Sequence, residues 1–258
     1  MKIVNYIIKS LSIILLLSFM LNAKESKDTR WTIDAVNQQK VLVQQILKEY
    51  AFLGMGNDFK DSKNKLQIHL NEYKSALNEL EVFLKDKEAK AHLGEAKKIW
   101  QSIEKYFAKK PSKENVILLQ KHTDKILAKM SALMKNLLRK NPKGKHDIVS
   151  ISGYQAVIVE RMAALYMLKT WGISDPKFNF KMRESITFFN NSLYKMLESP
   201  QTTKSNKKTI QRVMRSFKFF EIMNRSKTKF IPTLIYAKTK RIHIEINKIT
   251  QAYIEEGK

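Results

Sequence analysis

Cysteine is absent from all 258 residues. Disulfide frameworks and thiol chemistry are therefore excluded, and so is a lipid-modified cysteine after the N-terminal apolar run. Glycine and proline are scarce, at seven and five residues. Asn-Gly and Asp-Gly hairpin signals are missing, and no stretch alternates apolar and polar residues as a half-buried strand does. A chain rich in Lys, Leu, Ile, Glu and Met with so few breakers is predicted to be all-α. There is no phosphate-cradling glycine loop and no Gly-x-Ser-x-Gly elbow. The five histidines (His69, His92, His122, His146, His243) fall on five predicted segments, none at a metal-ligand spacing such as His-Glu-x-x-His. Glu160 and Arg161 are adjacent, and adjacent helical residues do not face each other. The expectation is a protein that is not an enzyme and has no cofactor or metal site.

Acidic residues are also short, 24 against 48 Lys and Arg, for a formal charge of +24. Such an excess marks either a solvated Lys-rich face or contact with anionic lipid or an acidic partner. The basic residues are spread along helices without interleaved aromatics, and the N-terminus reads as an export signal, so no nucleic acid partner is expected. Lys2 and Lys9 give that signal its positive end, Leu11 to Leu21 its apolar run, and Leu21-Asn22-Ala23 a small-residue cleavage site. Residues 1–23 are read as a signal peptide cleaved after Ala23, which places the mature chain in the periplasm. The alternative is an uncleaved helix anchoring it to the inner membrane. No later run approaches about 18 consecutive apolar residues, so no second crossing is expected.

What the chain does contain is an internal repeat. Val149 to Gly172 (VSISGYQAVIVERMAALYMLKTWG) matches Ile33 to Gly56 (IDAVNQQKVLVQQILKEYAFLGMG) at an offset of 116 residues, 149 against 33. Gln39 answers Gln155, Tyr50 answers Tyr166 and Gly56 answers Gly172. The same offset aligns Leu66, Leu70, Tyr73, Leu77 and Leu80 with Met182, Ile186, Phe189, Leu193 and Met196. Near the ends of the halves, Leu119, Thr123, Ile126, Met130, Leu133 and Leu137 meet Ile235, Thr239, Ile242, Ile246, Ile249 and Tyr253 at alternating spacings of three and four. Two tandem elongated up-down four-helix bundle units of roughly 115 residues follow, over residues 30–140 and 146–256, with Asn141-Pro142-Lys143-Gly144 between them.

Within each unit the helices can be placed. The first runs from about Arg30 to Met55 with Trp31, Ala35, Gln39, Leu42, Ile46 and Leu53 as its core stripe, and the second starts near Asp58 or Asp61. A looser stretch from Asp86 to Gly94 precedes a third helix, and Ser112 caps the fourth. In the second unit Asp147 to Trp171 is helical, Asp175-Pro176 opens the next helix, Ser199-Pro200 stops it, and a polar loop, Gln201 to Lys208, leads to the last pair. Gln39 and Gln155 both sit where a core residue belongs. Burying an unpaired amide costs about 1–3 kcal/mol, so each requires a partner, either a neighbouring helix or a small polar ligand held between helices.

These two stretches resemble the sensor motif shared by nitrate/nitrite sensor kinases and the type IV pilus methyl-accepting chemotaxis transducers, approximately I-N-x-A-G-R-Q-R-M-L-S-Q-R-M-A-K-x-Y. Gly153, Gln155, Arg161, Met162, Ala163 and Tyr166 match it in the second copy; Ile33, Gln39, Leu42, Gln44, Lys48 and Tyr50 match in the first, with Lys40 standing for an Arg. The family's first Arg is replaced by Gln38 and Tyr154. The resemblance implies a periplasmic sensory domain binding a small polar or anionic ligand at Gln39, Lys40, Gly153, Tyr154, Gln155 and Arg161, with nitrate bound weakly or not at all. With no second membrane helix and no kinase or methyl-accepting region before Lys258, the expected mode is a stand-alone module that hands information to a membrane receptor or envelope protein. The competing expectation is an envelope interaction scaffold that kept the fold and lost the pocket.

Overall fold

The structure, a computed structural model, describes residues 29–56, 61–141, 146–225 and 231–255. The export signal at residues 1–23, the polar leader that follows it and the Pro142-Lys143-Gly144 break lie outside them. Among the described residues the chain is all-α. Helix α1 occupies residues 29–54. It is followed by α2 (Ser62–Phe83), α3 (Lys87–Phe107) and α4 (Lys113–Lys140), then α5 (His146–Thr170), α6 (Phe178–Glu198), α7 (Lys204–Arg225) and α8 (Pro232–Glu255).

Local chemistry sets the boundaries. Asp86 accepts a hydrogen bond from the Ala89 amide and Ser112 from the Asn115 amide, so each satisfies one orphan donor at a helix start. Gly56 and Gly172, at equivalent places in the repeat, follow α1 and α5 with φ of 74° and 80°. This left-handed turn is the one an L-residue resists, and it explains why both copies keep glycine there. Two expectations need correction. The loose stretch from Asp86 to Gly94 is only the three-residue break at residues 84–86, with Gly94 inside α3, because the Asp86 cap starts the helix at once. The loop expected over Gln201 to Lys208 ends at Thr203, whose hydroxyl accepts from the Asn206 amide and opens α7 early.

In the second half α5 packs on α6, α6 on α7, α7 on α8, and α8 returns to α5. Phe189 of α6 stacks on Phe217 of α7 at 3.8 Å between ring centres. In the first half α2 packs on α3 and α3 on α4. Helix α1 joins them through Trp31 on Phe83 and Tyr50 on Phe107. The motif tyrosines do equivalent work at full burial. Tyr50 accepts a hydrogen bond from the Ser112 amide, and Tyr166 donates to the Phe220 carbonyl.

The halves meet through α1 and α5, which lie side by side, parallel and in register. Asn37 donates to the Ser150 carbonyl, Lys48 reaches Glu160, and Tyr50 sits edge-on to Trp171. Asn37 and Gly153 are equivalent residues and touch; a Cβ on Gly153 would lie 2.6 Å from the Asn37 amide nitrogen. The seam therefore behaves as a pseudo-two-fold axis between the copies. It also corrects the expected one-sided stripe of α1. Trp31 is 37% exposed, whereas Asn37, Lys40, Gln44 and Lys48 are buried, because α5 covers the face that an isolated bundle would leave to water. Helix α5 is long and apolar enough to cross a membrane, and most of it is buried among its neighbours.

Gly54 marks how tight the seam is, since a Cβ there would fall 2.1 Å from the Trp171 ring. Alanine normally favours a helix over glycine by about 1 kcal/mol. Here Gly54→Ala is expected to destabilise by about 1–3 kcal/mol, as overpacking does. In urea titrations a Trp171→Leu partner substitution should remove most of that loss, giving a clearly non-additive double-mutant cycle.

Candidate functional site

The α1–α5 seam has two sides with opposite electrostatics. On the side covered by α8, charges are paired. Lys48 is 2.7 Å from Glu160, and His243 of α8 donates from Nδ1 to the other Glu160 oxygen at 2.8 Å. The Gln45 amide also reaches that carboxylate, at 3.2 Å. Burial alone would raise the Glu160 pKa, yet Lys48 and His243 outweigh it and hold the carboxyl well below its ordinary range. Next to it Glu49 is raised by burial, against Lys48 at 3.9 Å and the hydroxyls of Tyr236 and Ser62. His69 faces the same region and is pushed down to about 4 by burial, with the Lys48 charge adding to the effect, so it stays neutral. The sequence hid this cluster because its members stand on four helices at separations that no periodicity links.

On the side covered by α4 lies a cleft of about 330 Å³ between the two halves. Lys40 comes to it from α1, Asp124 and Ser131 from α4, and Tyr154, Val157 and Arg161 from α5. Lys40 is 3% exposed. Its ammonium sits 5.1 Å from the Tyr154 ring centre and pairs with no carboxylate among the described residues. Burial pushes it down to about 8. Arg161 is 3.5 Å from Asp124, and Lys181 of α6 shares the same carboxylate at 3.7 Å.

The structure thus brings Lys40, Tyr154 and Arg161 together, although Lys40 belongs to the first copy and the other two to the second. Gly153 lies at the seam against Asn37. Gln39 and Gln155 point inward at 1% and 0% exposure and line neither this cleft nor the grooves below. Neither amide atom of Gln39 has a partner among the described residues. Gln155 donates only to the Ile151 carbonyl of its own helix, at 3.3 Å.

Two larger grooves repeat each other by the internal symmetry. One, of about 490 Å³, includes Gln38, Leu42, Gln45 and Glu72. The other, of about 680 Å³, has the equivalent Tyr154, Ile158, Arg161 and Phe188. The first is polar, with His69, Glu79 and His243 around it. The second is aromatic and mainly basic, with Phe180, Lys181 and Arg183 beside one carboxylate, Glu184.

Two outcomes follow. Glu160→Gln leaves Lys48 buried with only the more distant Glu49, at 3.9 Å, and is expected to cost about 3 kcal/mol in chemical denaturation. Because the folded pKa of Glu160 is depressed, its contribution is complete above the unfolded value of 4.5 and is lost as pH falls below it. The difference between wild type and Glu160→Gln should therefore shrink in acid. Gln155→Leu strands no other side chain, since its one bond is to its own helix. Its melting temperature should equal or exceed wild type, and a fall would reveal a partner across the core. Compared with known proteins, the chain matches no family model, no curated protein and no solved structure.

Proposed function

We propose that the protein is an exported helical sensor-type module. It takes a small polar or anionic ligand in the cleft between α1, α4 and α5 and passes the event to a membrane receptor or envelope protein. One observation carries this reading: Lys40 is a buried ammonium with no carboxylate partner among the described residues, and it faces a cleft that Arg161 also lines. An unpaired buried cation works against folding, so a ligand that supplies the missing negative charge would bind where the protein has stored that cost. The export signal read in residues 1–23 and the resemblance of the two opening helices to a periplasmic sensor motif support the same reading. Because the cleft is walled by helices of both copies, a ligand there would favour one seam geometry over another, which is what coupling to a partner requires. The sequence inventory, without a nucleophile–base pair or a metal motif, favours binding over catalysis.

Substituting Lys40 tests this. The folded pKa of about 8 lies below the ordinary 10.5, so the unfolded chain holds more protons between those values. Stability is therefore reduced below about pH 8 and recovers as pH rises toward 10.5, the penalty being on the order of 3 kcal/mol. Lys40→Met should melt higher than wild type near pH 7 and lose that alkaline gain. In thermal-shift titrations with small anions, binding should raise the melting temperature of wild type and not of Lys40→Met. The response should also fade as pH rises past the Lys40 pKa, with Asp124, Arg161 and Tyr154 as the other ionisable groups facing the ammonium. Equal anion responses in both proteins, or none in either, would reject the reading.

A further inference from the structure

The chemistry of the ligand can be taken further, resting on the Lys40 cleft as the binding site. The 330 Å³ cleft and the 680 Å³ groove adjoin each other, with Tyr154 and Arg161 lining both. At their junction the Tyr154 ring has the Lys40 ammonium on one side and meets Phe188 edge-on at 5.3 Å between ring centres. Beyond the junction the groove follows α6, where Phe180 and Phe188 remain 54% and 46% exposed. Eight residues apart on one helix, they stand ~12 Å apart along it, with Glu184 between them on the same wall. Ile158 adds apolar surface on the α5 wall.

We infer that the site binds an organic monoanion, its carboxylate held between Lys40 and Arg161 and its apolar body laid along Phe180 and Phe188. Three features select this class over a bare inorganic anion. Arg161 already shares Asp124 with Lys181, so the head site offers one cation, Lys40, that is unpaired among the described residues. The two large aromatics are left in water unless something covers them. Finally, the symmetry-equivalent groove lacks both elements. Gln45 replaces Arg161 and Glu72 replaces Phe188, so an anion with an apolar tail has no matching seat there. One ligand should therefore bind per chain.

The test is calorimetric titration of the purified protein with acetate, butanoate, hexanoate and octanoate, alongside nitrate, octylammonium and octanol. Affinity is expected to rise about twofold to fourfold per added methylene, as burial of apolar surface dictates. Octanoate should bind at one site per chain, with nitrate, octylammonium and octanol all much weaker. Phe180→Ala/Phe188→Ala, which alters only exposed side chains, should flatten the chain-length dependence; Lys40→Met should remove carboxylate binding at every length. Should octanoate bind no tighter than acetate while Lys40→Met still abolishes both, the cleft stands and the apolar-body inference fails. Octylammonium binding as well as octanoate would equally overturn it. If no carboxylate in the series binds, the Lys40 site and this inference fall together.

Discussion

The parallel, in-register contact of α1 with α5 is the constraint on which the rest of the structure depends. Each is the opening helix of its copy, and each is buried well beyond the single stripe that a four-helix arrangement would need. Close approach depends on small residues where the helices meet, Gly153 against Asn37 and Gly54 beneath Trp171. Once these helices are locked, α4 and α8 are carried to opposite sides of the seam. Every charged residue on the inner faces must then be paired, neutralised or left facing a cavity.

The two sides resolve that demand differently. Toward α8, Lys48 and Glu160 come from different copies and complete each other, with His243 as a third member. Such a cluster contributes less net stability than its short distances suggest, because removing the ions from water opposes their attraction. Its physical role is to fix register, since sliding α1 along α5 would separate two buried charges. Toward α4, the equivalent completion has not been made. Lys40 is buried beside a tyrosine ring, and the nearby carboxylate of Asp124 is shared between Arg161 and Lys181.

The asymmetry is visible at positions that the 116-residue offset pairs. Gln45 and Arg161 are the same position in the repeat, as are Glu72 and Phe188. The groove of the first copy is polar and that of the second aromatic and mainly basic. Because the cleft draws Lys40 from one copy and Tyr154 and Arg161 from the other, neither copy alone encloses it.

The sequence by itself determined the helical class, the repeat and most helix boundaries. Those properties reside in local chemistry: apolar residues at three- and four-residue spacing, caps such as Ser112, and glycines such as Gly56 and Gly172 where φ must be positive. It also singled out the opening helices, and within them Lys40, Tyr154 and Arg161 as candidate ligand contacts. It could not show that these three converge while Gln39 and Gln155 stay in the core, because residues on one helix share a face by spacing, whereas residues on two helices meet only through packing. Tertiary structure alone decided that the copies join through α1 and α5. The same packing buried Lys48 with Glu160 and left Lys40 without an acidic partner among the described residues, since pairings between residues more than a hundred positions apart are set by how two whole surfaces fit together.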